Sequence, residues 1–181
     1  NEDDLLSIRM NYIKSLVDLS VSEKIITDKM PVNFRMIGLI LTAIPEAKII
    51  HLTRDPKATC WSNYKHYFAN ENGFTFDQED LARFFILYQE LMGFWHKSFP
   101  NKIYDISYER LTTHQEDETQ KLLKYCELDW DNNCLNFHKN TRAVHTASAS
   151  QVRQKIYQGS SDAWKKYEKF LQPLIMGLNQ T

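Results

Sequence analysis

A chain of 181 residues with 43% hydrophobic and 25% charged content suits one soluble domain with a sizeable core, and its five glycines and five prolines leave little room for long disordered segments. Its formal net charge of -1, from 22 basic and 23 acidic residues, gives no global attraction to nucleic acid or anionic membrane, so any anion site must be local. No apolar run approaches the roughly 20 residues of a membrane span, and three cysteines, an odd number, point to a reducing, cytoplasmic setting.

Residues 4–19 predict an amphipathic helix, with Leu5, Tyr12, Leu16 and Leu19 on one stripe and Ile8 and Ile13 at its edges. Residues 24–27 predict a short strand, with Asp28 and Lys29 at its carboxyl end. Asn33 is a cap for a helix over 34–43, ended by Pro45. The run 47–53, with two adjacent isoleucines, reads as a strand covered on both faces. Asp55 as N-cap and Pro56 as first helical residue open a helix over 56–69. Strand, helix and strand in one sheet imply a right-handed parallel crossover. Asp77 opens the longest helix, which carries Leu81, Phe84, Tyr88, Leu91, Trp95 and Phe99 and is stopped by Pro100. Residues 102–108 predict a third strand and 116–126 an amphipathic helix. Asp131 caps a short helix through Phe137, residues 141–159 are polar and weakly periodic, and Ser161 or Asp162 caps a final helix ending near Leu178.

The stretch with chemical content is the second strand and the helix after it. Arg54 stands at the carboxyl end of the strand, where open α/β sheets bind ligands. The helix entrance beside it is rich in N–H donors and carries the positive end of the helix dipole, so it favours anions. Ser62 lies about two turns into that helix and can share an anion with Arg54. A guanidinium suits phosphate because it offers two parallel charge-assisted hydrogen bonds. On spacing alone, Arg54 serves equally as the ion-pair partner of Asp55 or Glu46, and Ser62 as a helix serine bonded to its own backbone. Cys126, Cys134 and His138 match no standard zinc spacing and read as packing residues. His51, inside an apolar strand, reads as a core histidine rather than a base.

Arg54-Asp55-Pro56 with Ser62 eight positions after the arginine resembles the 3′-phosphate-binding strand and helix of sulfotransferases. Asp28-Lys29-Met30-Pro31-Val32-Asn33-Phe34 is similar to the Asp-Lys-x-Pro-x-Asn-Phe signature of bacterial sulfotransferases often fused to tetratricopeptide repeats, relatives of tyrosylprotein sulfotransferases. Tyr108-Glu109-Arg110-Leu111, Leu122-Leu123-Lys124-Tyr125-Cys126 and Gln151-Val152-Arg153-Gln154-Lys155-Ile156-Tyr157 resemble the same branch, and the motifs fall in the family's order from about Tyr12 onward.

The resemblance implies a three-layer α/β/α fold with a mainly parallel sheet, like that of P-loop nucleoside triphosphatases. It implies 3′-phosphoadenosine 5′-phosphosulfate as donor, no metal, and a hydroxyl- or phenol-bearing acceptor, whether peptide tyrosine, carbohydrate or small molecule. Arg54 and Ser62 would then hold the 3′-phosphate. Lys29 would stabilise charge on the donor's bridging oxygen, which becomes negative as the sulfuryl group leaves. Ser148, Arg153 and Tyr157 would lie on a loop closing over the nucleotide. The glycine-containing loop that grips the 5′-phosphosulfate in this family has no counterpart here, since no glycine precedes Gly38. The expectation is therefore a partial domain over 1–181, truncated at its N-terminus, with an exposed sheet edge that invites self-association. The rival expectation is a module that binds a nucleotide or a partner without catalysis.

Overall fold

In a computed structural model, residues 2–18, 25–68, 73–141 and 151–180 are described. The chain divides into two compact units, Asn1–Ile49 with Glu90–Ile103, and Ile50–Gln89 with Tyr104–Thr181. No helix among the described residues is long and apolar enough to cross a membrane.

The first unit opens with α1 (Glu2–Asp18). Its half-buried side is Leu5, Arg9, Tyr12 and Leu16, three residues of the expected stripe with an arginine inserted; Ile8 and Ile13 are exposed and Leu19 lies outside the described residues. Arg9 earns that place through polar bonds: its guanidinium donates to the Ala43 carbonyl (3.2 Å) and to both carboxylate oxygens of Glu46, one at 2.9 Å. Those bonds draw the Glu46 carboxyl down to about 2. Tyr12 donates to Asp28 (3.1 Å). Residues 25–27 form no strand: Ile25 and Ile26 are exposed, and two apolar residues give a ladder little to bury. Asn33 is not a cap either. A 3₁₀ turn, Pro31–Met36, begins two residues earlier, because Pro31 needs no N–H partner and its φ suits a first helical residue. It runs into α2 (Ile37–Ala43), whose Ile37, Leu41 and Ala43 are buried. Gly38 is required there: a Cβ would stand 2.7 Å from the Trp95 ring, whose indole N–H donates to the Phe34 carbonyl (2.8 Å).

Strands β1 (Ile49–Thr53) and β2 (Ile103–Ser107) pair in a small parallel sheet. The connection between them contains α3 (Pro56–Tyr64), a 3₁₀ turn at Gly73–Phe76, and α4 (Gln78–Ser98). β1 is not covered on both faces. Its burial alternates, leaving Ile50 45% and Leu52 54% exposed while His51 and Thr53 face inward. His51 is mostly buried, with Nδ1 2.6 Å from the Asp105 carboxylate on β2 and Nε2 bonded to the Tyr88 hydroxyl. Burial, then the nearby Asp105 charge, pushes the Tyr88 phenol up.

The core of the second unit joins α3, α4 and the C-terminal segment. Ala58, Cys60, Leu81, Ala82, Phe85, Trp164, Leu171 and Leu174 form one buried cluster. Burial, then the Asp55 charge, pushes the Cys60 thiol up to about 12, so it stays protonated. The final helix is broken. A 3₁₀ segment, Ser160–Phe170, ends at Leu171, and α7 (Gln172–Leu178) starts anew with Pro173 in its first turn. Proline lacks the N–H that a continuous helix would need at that position. Gly177 lets α7 approach α4, since a Cβ there would lie 2.6 Å from that of Ala82.

After β2, Ser107 caps an unexpected short helix, α5 (Tyr108–Thr113), by accepting the Arg110 N–H. It packs on α6 (Gln115–Tyr125) around the buried Glu118, which accepts from Arg110 (2.7 Å) and Lys121 (2.8 Å). Asp131 caps a 3₁₀ segment, Asn132–Lys139, as expected of a short helix there. Cys126, Cys134 and His138 belong to no metal-holding group among the described residues.

The Arg110 hydrogen bond, then that of Lys121, lowers the Glu118 carboxyl from 4.5 to about 2. A depressed folded-state value gives stability that is present above pH 4.5 and lost as pH falls toward 2. We expect Glu118→Gln to lower the melting temperature at pH 6 and to flatten its decline between pH 5 and pH 3. Parallel profiles for variant and wild type would contradict the role given to this carboxylate.

Candidate functional site

Parallel pairing brings the carboxyl ends of β1 and β2 side by side, so the residues after each strand meet. After β1 come Arg54 and Asp55. The Asp55 side chain accepts the Ala58 N–H at 2.7 Å and caps α3, as its position before Pro56 predicts. Its backbone N–H crosses to the second strand end and donates to Glu109 Oε1 at 3.0 Å. Both carboxylates near Arg54 in sequence are thus committed elsewhere: Asp55 to the cap and Glu46 to Arg9.

Arg54 is half-buried and lies over the Tyr108 ring, 4.6 Å from its centroid. Its Nε–H donates to Ser161 Oγ (3.2 Å) and its Nη2 to Ser160 Oγ (3.1 Å). Tyr108 and Ser160 hydroxyls are 2.8 Å apart. Ser161 in turn donates to Glu109 Oε1 (2.6 Å), and Ser107 donates to Oε2 (3.2 Å). The turn that carries Ser160 and Ser161 back over the strand ends passes through Gly159 at φ 86, a conformation that favours glycine. The segment then packs on α3, where Tyr167 stacks on Trp61 at 4.5 Å and Lys57 sits 4.9 Å over the Trp164 ring.

Burial acts to raise the Glu109 carboxyl, but hydrogen bonds from Ser161, from the Asp55 N–H, from its own backbone and from Ser107 outweigh it and hold the value below the ordinary one. Glu109 therefore stays charged near neutral pH. Among the described residues no carboxylate pairs directly with Arg54: its partners are two neutral hydroxyls and a ring face. Such an arginine, at the mouth of a helix, can exchange weak neutral partners for an oxyanion.

Ser62 is half-buried on α3, and its hydroxyl makes no hydrogen bond among the described residues. No hydrogen bond joins it to Arg54. Lys29 lies in the first unit, exposed on an irregular stretch, next to an Asp28 already engaged by Tyr12. Ser148 lies outside the described residues. Arg153 ends a 3₁₀ turn, Gln151–Arg153, and is exposed, as is Tyr157.

Tyr108, Glu109, Ser160 and Ser161 carry no site role in the sequence reading: the first two stand in a family motif without an assigned contact, Ser160 has no reading, and Ser161 reads as a helix cap. Their position directly after a strand parallel to β1 is the feature that could have found Tyr108 and Glu109.

The sequence model of the sulfotransferase family matches residues 3–132. The chain belongs to the sulfotransferase family. An uncharacterized protein of Aquifex aeolicus (strain VF5) is 40% identical over 174 residues, which are 94% of this chain and 23% of that relative. This sulfotransferase-family chain therefore spans less than a quarter of the relative's length. The family match includes Lys29, Arg54, Ser62, Tyr108 and Glu109, and stops before Arg153, Tyr157, Ser160 and Ser161.

Loss of the Asp55 cap is expected to destabilise the fold. Asp55→Ala should cost about 1 kcal/mol, the usual worth of an N-cap side chain, read by urea denaturation. An unchanged midpoint would mean that the junction of β1 and α3 does not depend on the cap.

Proposed function

We propose that this chain is part of a sulfotransferase that moves a sulfuryl group from 3′-phosphoadenosine 5′-phosphosulfate to a hydroxyl or phenol. The observation that carries the reading is Arg54. It is a half-buried guanidinium whose partners among the described residues are neutral, at the carboxyl end of a parallel strand and beside the N-terminus of α3.

In this reading the 3′-phosphate of the donor takes the guanidinium fork, and the Ser62 hydroxyl supplies a further donor from α3. Two parallel charged hydrogen bonds orient the nucleotide as well as hold it. The acceptor oxygen attacks sulfur in line. The bond from sulfur to the bridging oxygen breaks, and its electron pair stays on the 5′-phosphate. Lys29 stabilises that developing charge, since a fixed cation is worth most where charge appears only in the transition state. Ser148, Arg153 and Tyr157 contribute to the closing loop. The acceptor's proton leaves to a base outside the residues assigned here. The chain then belongs to a three-layer α/β/α domain of a longer protein, with the acceptor being a peptide tyrosine, a carbohydrate or a small molecule.

The test is calorimetric titration with 3′-phosphoadenosine 5′-phosphate, with 5′-AMP as control. We expect binding that requires the 3′-phosphate. Arg54→Ala should lose more affinity than Ser62→Ala, because a hydrogen bond to a charged group contributes about 1.5–3 kcal/mol and a neutral one about 1. Equal binding of the two nucleotides, or equal losses in the two variants, would sink the assignment of the 3′-phosphate to Arg54.

A further inference from the structure

We infer that Glu109 is a positioning residue that sets the orientation of the Arg54 guanidinium through the Ser161 hydroxyl. Three observations carry this. Ser161 has one hydroxyl hydrogen, and it is given to Glu109 Oε1 at 2.6 Å. Its lone pairs are thereby turned toward the Arg54 Nε–H at 3.2 Å. The same carboxylate oxygen accepts the backbone N–H of Asp55, the residue that follows Arg54. One oxygen thus holds both the chain next to the arginine and the hydroxyl that receives its side chain. The other oxygen accepts from Ser107, which keeps the carboxylate plane from turning.

The indirect arrangement has a chemical consequence. A carboxylate paired directly with the guanidinium would fill its fork and cancel its charge. A hydroxyl placed between them orients the arginine while leaving it charged and exchangeable. Without Glu109 the Ser161 hydroxyl rotates freely, and its hydrogen can face the guanidinium, where it repels. The part of this inference that concerns affinity for a phosphate rests on the function proposed above. The part that concerns Arg54 orientation does not.

The experiment reads the two parts separately. Solvent exchange of the Arg54 Nε–H is measured by NMR in wild type, Glu109→Ala, Glu109→Gln, Ser161→Ala and the Glu109→Ala/Ser161→Ala pair. Exchange should rise about tenfold in Glu109→Ala, as expected for a lost hydrogen bond to a charged group. Glu109→Gln retains a carbonyl oxygen and should restore most of the protection. The pair should exchange no faster than Ser161→Ala alone, because both act on one contact. If Glu109→Ala does not fold, Glu109→Asp takes its place, keeping the charge but withdrawing the carboxylate by one methylene. Unchanged exchange in the Glu109 variant, or additive effects in the pair, overturns the inference. Titration of the same proteins with 3′-phosphoadenosine 5′-phosphate should show a parallel loss of affinity. Absence of binding in wild type would overturn the proposed function, while the exchange series still decides the role of Glu109.

Discussion

The backbone N–H of Asp55 donates to the Glu109 carboxylate, and the candidate site is built around that bond. Parallel strands place their carboxyl ends together but do not fix how the chain leaves them. The Asp55–Glu109 bond ties the exit of β1 to the start of α5. From it follow the cap on α3, the reach of Arg54 over Tyr108, and the seat for Ser161. A polar bond in a half-buried setting is costly to leave unmade, so each member of this network constrains the next.

Three arginines illustrate two uses of the same side chain. Arg9 and Arg110 each meet a carboxylate, Glu46 and Glu118, and both carboxyls are drawn down to about 2. In both pairs the charges are mutually satisfied, and the result is attachment of one element to another. Arg54 meets hydroxyls and a ring instead. Its nearest acid in the network is held one hydroxyl away. A structural arginine gains from direct pairing, whereas a ligand-binding one must keep its charge available. That contrast separates Arg54 from Arg9 and Arg110.

Several local features are legible where a single side chain decides them, although Asn33, Ser161 and Asp162 do not cap the segments expected of them. Asp55 before Pro56, Asp77 before α4, Asp131 before the 3₁₀ segment and Pro100 after α4 each act within a few residues of themselves. Readings failed where a partner distant in sequence decides. The apolar pair Ile25 and Ile26 reads as a strand but pairs with none among the described residues, and Ile50 and Leu52 read as buried but stand exposed on one face of β1. The final helix differs for a local reason instead: Pro173 cannot continue it, and the segment breaks at Leu171.

The sequence by itself determined that Arg54 would be delivered to the mouth of a helix. A strand, a cap and a proline in succession leave the chain no other local path, and the family's motifs stand around it in order. What Arg54 touches was decided only by tertiary structure. Ser160 and Ser161 lie 106 and 107 residues away, and Glu109 54 residues from Asp55. No local pattern records such contacts, because hydroxyls and carboxylates acquire these roles only when the fold brings them within hydrogen-bonding distance.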